Sequence, residues 1–224
     1  QVMLDPADCG PACISLSQDV QGEVYDYPED FFKERIHTIR RSRPDDFQIK
    51  EAADLIKKSK KPIIISGGGV FYSDATEELS AFAQKHNIPV TQTVMGYSTM
   101  KKDHSHYLGV IGGLGGKAAN NLSKETDTAI AIGTKLADFT TGSWANFENP
   151  DFKLVSINAA RFDANKHMAQ AIVGDAKVSL MELSQALGSW KADDVWYKKS
   201  RVELKEWESY VDKESGTTNQ KLPS

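Results

Sequence analysis

The chain has 224 residues, of which 31 are acidic and 27 are basic, so its formal net charge is −4. This length is enough for one large domain or two small ones with a substantial apolar core. The acidic balance excludes the strongly basic surface of a nucleic-acid-binding protein. No apolar run approaches the ~18 residues of a transmembrane helix. We therefore expect neither nucleic acid nor a membrane as a partner.

The first residues predict one β-strand. A turn over residues 5–11 is followed at residues 12–17 by apolar residues that alternate with serines, which is the period of a strand. A single strand is not stable alone, so it either joins the later sheet or belongs to a sheet that is missing from this chain. The two cysteines, Cys9 and Cys13, have no second Cys or His pair nearby, which argues against a zinc site. We interpret them as reduced thiols and expect a cytoplasmic protein.

A charged segment and a helix come next. Residues 29–44 carry charges of both signs and predict a linker, whose arginines are either solvated or able to meet phosphate groups. Asp45 or Asp46 then caps a helix. The apolar positions of this helix recur at the spacing of one helical face: Ile49, Ala52, Ala53 and Ile56.

The central stretch of the chain has the order strand, glycine-rich turn, helix. Residues 63–65 are three isoleucines, typical of a strand buried on both faces. Gly67, Gly68 and Gly69 follow, and a helix with apolar spacing is predicted to begin after Ser73. Such a turn either binds a phosphate group at a helix start or is a tight connection without a ligand. The sequence leaves both interpretations open.

Further strands and helices alternate along the chain. Short apolar runs predict strands at residues 87–91, 128–132, 153–157 and 171–173. The segment 108–116 has five glycines in nine residues and predicts a loop, which is followed by a helix over residues 117–124. A helix with Met181 among its apolar positions follows the last strand.

Two other segments have a distinct pattern. His104 and His106 have an H-x-H spacing without a third ligand, so we predict a solvated loop rather than a metal site. A charged helix over residues 193–214 places Leu204 and Trp207 on one face. Because this region contains three tryptophans that are costly to expose, we expect the helix to pack against another surface.

The alternation of strands and helices predicts an α/β fold with a doubly wound, mainly parallel, Rossmann-like sheet. Ligands of such sheets bind in a crevice outside the carboxyl ends of the strands. The strand ends expected to line this crevice are residues 66–69, 91–95, 133–138, 158 and 174–175. Asp138 and Asp175 at these ends either accept a ribose hydroxyl or cap a helix. Because no G-x-S-x-G elbow, Ser-His-Asp order or placed carboxylate pair is visible, we predict no catalytic residue and no metal ligand on this chain.

The order of these strand-end motifs resembles the central domain of thiamine-diphosphate-dependent enzymes such as acetohydroxyacid synthase and pyruvate oxidase. The matching pieces are residues 61–70, 88–91, 133–138 and 172–176. Residues 11–20 look like the last strand of the pyrimidine-binding domain of that family. Within the family, enzymes of inositol catabolism that hydrolyse a cyclic dione are similar at residues 19–32, 138–144 and 158–167.

The resemblance implies that this chain is the middle of a longer, homo-oligomeric enzyme. The implied domains are the end of a pyrimidine-binding domain (1–28), a linker (29–44), the central domain (45–188), and a helix with a disordered linker to a diphosphate-binding domain (189–224). The longer enzyme would use thiamine diphosphate and Mg²⁺ to cleave a carbon–carbon bond of a cyclic dione with water. The family holds Mg²⁺ with a G-D-G…N motif, whereas Ala176 follows Gly174 and Asp175 here. We therefore expect this chain alone to be inactive.

Several members of the family bind FAD or ADP in the central domain. The positions that match their contacts are Gly67, Gly68, Gly69, Thr93, Val94, Met95, Gly133, Asp138, Asn158 and Asp175. Lys135 replaces an Arg that flavin-binding relatives often have, which weakens a bidentate contact, so an occupied and an empty crevice both remain open.

Three alternative functions remain for such a chain. The first is a free-standing module that binds FAD, ADP or NAD. The second is a carboligase fragment similar to acetohydroxyacid synthase. The third is a sirtuin-like deacylase, whose four-cysteine zinc ribbon the two cysteines of this chain do not supply.

Overall fold

The computed structural model describes residues 2–216 of the chain. Contacts separate the chain into two units, Gln1–Arg40 and Arg41–Ser224. Every β-strand of the described residues lies in the second unit, which also carries the predicted site residues. We call this second unit the sheet domain.

The first unit has little regular structure. Its described residues form two short 3-10 turns, Val20–Gly22 and Glu29–Phe31. The strand predicted at residues 12–17 is wrong, and its apolar residues Ile14 and Leu16 are exposed. The physical reason is that a strand is stable only when its backbone groups pair with a neighbour, and the described part of this unit contains no other strand.

The sheet domain is an all-parallel sheet of six strands with helices, which confirms the predicted α/β, doubly wound, Rossmann-like fold. The strands are β1 (Pro62–Ser66), β2 (Val90–Gln92), β3 (Tyr107–Val110), β4 (Thr128–Ile132), β5 (Lys153–Asn158) and β6 (Gln170–Val173). The helices of the described residues are α1 (Asp46–Ile56), α2 (Gly69–Tyr72), α3 (Thr76–His86), α4 (Lys117–Glu125), α5 (Asp138–Thr141), α6 (Arg161–Ala164), α7 (Ala176–Leu187) and α8 (Asp194–Glu214).

Strand β1 lies at the centre of the sheet, whose spatial order is β3-β2-β1-β4-β5-β6. As predicted, the isoleucines at 63–65 are fully buried. Ile64 lies opposite Val90 of β2 on one side and opposite Ile130 of β4 on the other. The strand order reverses between β1 and β4, and this is the point where a doubly wound sheet opens a crevice outside its carboxyl ends.

Helix packing follows the predicted faces. Asp45 caps α1, because its carboxylate accepts the N–H of Phe47 at 2.9 Å. The face of α1 that is buried consists of Ile49, Ala52, Ala53 and Ile56, as the spacing predicts. Helix α1 packs on α7, and α7 packs on α3. A separate pair of helices, α4 and α8, packs together near β3.

Three details differ from the sequence prediction. The helix expected directly after Ser73 begins at Thr76, because the one-turn helix α2 follows the glycines. The segment 108–116 is not all loop, since its first residues belong to β3, an edge strand that pairs only with β2. Met181 is exposed on α7, and Leu180 takes the buried position beside it.

Helix α8 packs within the sheet domain, as its apolar face predicts. The indole Nε1–H of Trp196 donates to the carbonyl of Pro62 at 2.8 Å, and this side chain is buried. Arg201 donates to the carbonyls of Ser105 and Tyr107 at 2.6 and 2.7 Å. Among residues 2–216, neither α8 nor a shorter helix combines the length and apolar character that a membrane crossing requires.

His106 is buried under α8, so the solvated loop predicted around it is only partly correct. Its Nε2 lies 3.3 Å from the side-chain oxygen of Asn87, and its ring packs on that of Tyr197 with centroids 4.6 Å apart. Burial, together with the nearby charges of His104 and Arg201, lowers the pKa of His106 to about 4.

The low pKa of His106 predicts a pH-dependent stability. The unfolded chain protonates this imidazole near pH 6.5, whereas the folded chain stays neutral down to about pH 4. Above pH 6.5 the imidazole of His106 is therefore neutral in both states, and its titration does not change the free energy of unfolding. Below pH 6.5 the free energy of unfolding falls as the pH decreases toward 4, by at most about 1.4 kcal/mol per pH unit.

The variant His106→Gln removes this titration. We expect its free energy of unfolding, measured by urea denaturation, to depend less steeply on pH between 4 and 6.5 than that of the unchanged chain. Equal slopes for the two proteins in this window would contradict the assignment.

Candidate functional site

The parallel strands bring most of the predicted site residues to one edge of the sheet. The loops after β1 and β4 meet at the switch point, where Gly69 contacts Gly133. The loop after β2 adjoins the loop after β1, and the carbonyl of Met95 lies close to Gly68. Asp175 follows β6, which is the edge strand farthest from β3. The predicted residues therefore lie at one edge of the sheet, but they are not all neighbours.

The glycines of the β1 and β4 loops pack backbone against backbone. A Cβ on Gly67 would lie 2.6 Å from the Cβ of Thr134, and one on Gly69 would lie 2.6 Å from the Cα of Gly133. The Gly67 N–H donates to the carbonyl of Ile132 at 2.8 Å, and the Gly69 N–H donates to that of Gly133 at 2.9 Å. Close packing explains these glycines, and their amides are already used within the fold.

The loop after β2 is held by its own polar groups. The hydroxyl of Thr93 accepts the N–H of Gly96 at 3.0 Å. Gly96 packs against the backbone of Ser66, where a side chain has no room. This arrangement leaves Val94 and Met95 pointing away from the core, and both are exposed.

A buried network that the sequence analysis missed supports this loop. The hydroxyls of Ser66 and Thr99 lie 2.7 Å apart, and the side-chain amide of Gln92 donates to Thr99 at 3.2 Å and to the carbonyl of Met100 at 2.9 Å. All three polar side chains are buried. The only signal in the sequence is that Gln92 and Ser66 are polar residues at the ends of apolar strands.

Asp175 is a helix cap. Its Oδ1 accepts the N–H groups of Lys177 and Val178 at the start of α7, at 3.0 and 3.3 Å. Its Oδ2 accepts a hydrogen bond from Arg41 at 2.9 Å. The sequence left open whether this residue caps a helix or accepts a ribose hydroxyl. The structure shows the helix cap, and both carboxylate oxygens of Asp175 accept hydrogen bonds. Arg41, placed in the predicted linker, therefore belongs to the sheet domain.

The loops after β4 and β5 are joined by a second set of contacts. Asn158 donates to the carbonyl of Thr134 at 3.3 Å and accepts the N–H of Ala160 at 3.0 Å. Lys135 lies 3.8 Å from the buried carboxylate of Asp163. The carboxylate of Asp163 thereby partly balances the positive charge of Lys135. Asp138 is exposed at the start of α5, and its side chain does not cap that helix.

Within residues 2–216, no group of three or more His, Cys, Asp or Glu side chains lies close enough together to hold a metal ion. A cavity of about 810 Å³ opens at the opposite, amino-terminal edge of the sheet. It is lined by acidic residues together with five lysines: Lys50, Lys58, Lys60, Lys61 and Lys153. Mixed charge of this kind is typical of a solvated groove, and the cavity lies far from the predicted crevice edge.

The close packing at Gly133 predicts that a side chain at this position strongly lowers the free energy of unfolding. Gly133 has φ +58°, and a Cβ there would lie 2.6 Å from the Cα of Gly69. We expect Gly133→Ala to lower the free energy of unfolding by about 2–4 kcal/mol, from left-handed strain and overpacking together. Gly142 has the same φ but only ordinary contacts near 3.5 Å, so Gly142→Ala is the matched control and should cost about 1 kcal/mol. Equal losses in denaturation experiments would show that steric overlap is unimportant at Gly133.

The double role of Asp175 gives a second prediction. We expect Asp175→Ala to lose the α7 cap and the bond to Arg41, and to destabilise the chain more than Asp45→Ala, which removes only a cap. The cap is worth about 1 kcal/mol in each case, and the charged hydrogen bond should add about 1–2 kcal/mol at Asp175. Thermal and urea unfolding of the two variants measure the difference. A loss at Asp175 no larger than that at Asp45 would contradict the role of Arg41.

Comparison with known proteins assigns the sheet domain to a family. Residues 49–183 match the family model described as thiamine pyrophosphate enzyme, central domain. Proteins named 3D-(3,5/4)-trihydroxycyclohexane-1,2-dione hydrolase are similar to the chain. The one from Clostridium perfringens is 48% identical over 84% of this chain and 29% of its own length.

Two further relatives with this name extend the match. Those from Clostridium tetani and Bacillus licheniformis are both 42% identical, over 95% and 97% of this chain and over 33% and 34% of their own lengths. The chain thus spans about a third of the length of the curated relatives it matches. With more than half of its residues matched by the family model, the chain belongs to the thiamine pyrophosphate enzyme family, as a central domain.

Proposed function

We propose that this chain is the central domain of a longer thiamine-diphosphate-dependent enzyme that hydrolyses a carbon–carbon bond of 3D-(3,5/4)-trihydroxycyclohexane-1,2-dione. The observation that carries the proposal is the 48% identity with the Clostridium perfringens hydrolase over 84% of this chain. The carboligase, sirtuin-like and free-standing alternatives have no comparable support.

The described residues favour a scaffolding role for this domain. Thiamine diphosphate stabilises a carbanion when it is bound, and the longer enzyme would need a site for it and for Mg²⁺. Gly174, Asp175 and Ala176 do not fit such a site, because both oxygens of Asp175 are engaged with α7 and with Arg41. We therefore place the thiamine diphosphate and Mg²⁺ site on parts of the longer polypeptide outside this chain.

The family resemblance also raises FAD or ADP as a ligand of the crevice. The geometry gives this interpretation little support, since the amides of Gly67 and Gly69 bond to carbonyls of the β4 strand and loop. Asp175 has no free oxygen for a ribose hydroxyl. We propose that the crevice contains no nucleotide and that the glycines among the ten matched positions preserve a packing pattern.

Two further proposals concern the oligomeric state of the longer enzyme and its location in the cell. The family assembles its active sites between two subunits, so we propose a homo-oligomer for the longer enzyme. Cys9 and Cys13 are free and exposed, which fits a reducing compartment, so we propose a cytoplasmic location.

The test of the main proposal is hydrolysis of the cyclic dione by the full-length gene product that carries this chain. With thiamine diphosphate and Mg²⁺ added, we expect the ring to open to an acid, which a coupled assay or mass spectrometry detects. The 224-residue chain alone, under the same conditions, should be inactive. Condensation of pyruvate without dione hydrolysis would favour a carboligase instead.

Nucleotide binding is tested on the chain itself by thermal unfolding with FAD, ADP or NAD. A ligand at 100 times its Kd should raise the free energy of unfolding by roughly 2.7 kcal/mol. We expect no such increase. A clear increase with one of the three ligands would overturn the empty crevice while leaving the hydrolase proposal intact.

A further inference from the structure

The first residues after β1, β2 and β3 include no charged side chain. These stretches span residues 67–72, 93–100 and 111–116, and the next charged residues along the chain are Asp74, Lys101 and Lys117. Charged residues make up 26% of the chain, so this depletion is not a reflection of overall composition. The opposite edge of the sheet has five lysines in one cavity. The stretches directly after β1, β2 and β3 are therefore less charged than the opposite edge of the sheet.

Large apolar side chains of these loops are exposed. Together with the first turn after β4, they form what we call the apolar rim: Phe71, Tyr72, Met95, Tyr97, Leu114 and Phe139. The exposed fraction of Met95 is 75%, and that of Phe139 is 71%. Aromatic residues and Met are enriched, and charges depleted, at the centres of protein interfaces. A clustered apolar patch on a soluble domain marks an interaction site.

Contacts between the loops make the rim continuous. Helix α2, which carries Phe71, contacts the turn that carries Met95. The N–H of Gly113, next to Leu114, donates to the carbonyl of Phe139 at 2.8 Å. Because Gly69 and Gly133 also contact each other, the loops after β1, β2, β3 and β4 form one connected set.

The rim is built on a closed base. Backbone contacts between Gly67, Gly69 and Gly133 fill the space at the switch point, and their amides bond within the fold. Gly96 packs on Ser66 in the same way. A surface with a filled base, few free donors and protruding apolar side chains fits a protein partner better than a small anionic ligand.

We infer that the apolar rim is a docking face, covered in the longer enzyme by a part of its polypeptide outside this chain. This inference depends on the proposed function only in requiring that longer polypeptide. The relatives are about three times as long as this chain, so about two thirds of such a protein lies outside it and is available for the contact. A second copy of this chain and a nucleotide are the competing occupants, and the test separates them.

The methionines provide internal probes of this coverage. Met95 lies on the rim, Met181 is 59% exposed on α7 away from it, and Met100 is only 3% exposed. Peroxide oxidation followed by mass spectrometry measures the rate at each residue. We expect Met95 to be oxidised several-fold more slowly in the full-length gene product than in the 224-residue chain. Met181 should keep its rate, and Met100 should be slow in both.

Four outcomes would overturn the inference. The first two are oxidation of Met95 at the same rate in both proteins and protection of Met181 as strong as that of Met95. Protection of Met95 in the 224-residue chain that increases with chain concentration would assign the face to a second copy. Protection on addition of FAD or ADP would assign it to a nucleotide.

Dione hydrolysis is measured on the same full-length preparation. An active enzyme with an unprotected Met95 contradicts the docking face alone, and a protected Met95 without hydrolysis contradicts the proposed reaction alone.

A pair of variants gives a second readout. In the full-length gene product, Met95→Glu should lower the thermal unfolding temperature by placing a charge in the buried contact, whereas Met95→Leu should preserve it. Met181→Glu, at an exposed position away from the rim, should have little effect. Both charged variants should leave the unfolding of the 224-residue chain unchanged, because the side chains are exposed there. A loss in the short chain for Met95→Glu would attribute the effect to the sheet domain itself.

Discussion

The close backbone contact between the β1 and β4 loops is the constraint on which the rest of the carboxyl edge depends. Gly133 turns back in the left-handed region and fills the space over Gly69, so each excludes a side chain on the other. β1 and β4 therefore end side by side in the sheet, with Ser66 opposite Ile132, and the loops that follow them are in contact. The same contact uses amides that, in an open glycine-rich loop, would face an anion. Close packing and phosphate binding would use the same glycine amides, and in this structure the amides of Gly67 and Gly69 bond within the fold.

This constraint explains why the two edges of the sheet differ. At the amino edge, Lys61 precedes β1 and Lys153 begins β5, both close to Asp127, and charged residues line the groove. At the carboxyl edge, the loops after β1 and β4 pack closely through their glycines, so the larger side chains of this edge have no interior to occupy. Phe139 and Met95 consequently extend outward. An apolar surface therefore follows from closing the crevice, since the residues displaced from it are those that a ligand pocket would otherwise bury.

The sequence predicted the elements whose signal is local. The isoleucines at 63–65 and the cap at Asp45 specify β1 and α1 without information from elsewhere in the chain. β3 was missed because Gly109 weakens the strand pattern, and only pairing with β2 makes this segment a strand. The converse error occurred at residues 12–17, where the pattern is present but the described part of that unit has no partner strand. Pairing is a property of two segments, so one segment cannot reveal it.

The site was predicted by position but not by role. The rule for parallel sheets placed Gly69, Gly133 and Asp175 at the correct edge, since it depends only on topology. It did not say what the groups at that edge bond to. Asp175 bonds to Arg41, which precedes it by more than a hundred residues, and no local pattern contains that pair. The same limit applies to His106, whose burial depends on α8.

Both segments that flank the sheet are fastened to it by specific bonds. The N–H of Asp175 donates to the carbonyl of Ser42 at 2.9 Å. After α7, the N–H of Ala192 donates to the carbonyl of His86 at 2.9 Å, and the imidazole of His86 lies 2.8 Å from the carbonyl of Trp190. The backbone therefore has a fixed path before α1 and before α8. A domain that positions other parts of a polypeptide needs such fixed paths more than it needs reactive groups. The structure provides them where the sheet domain begins and again where α8 starts.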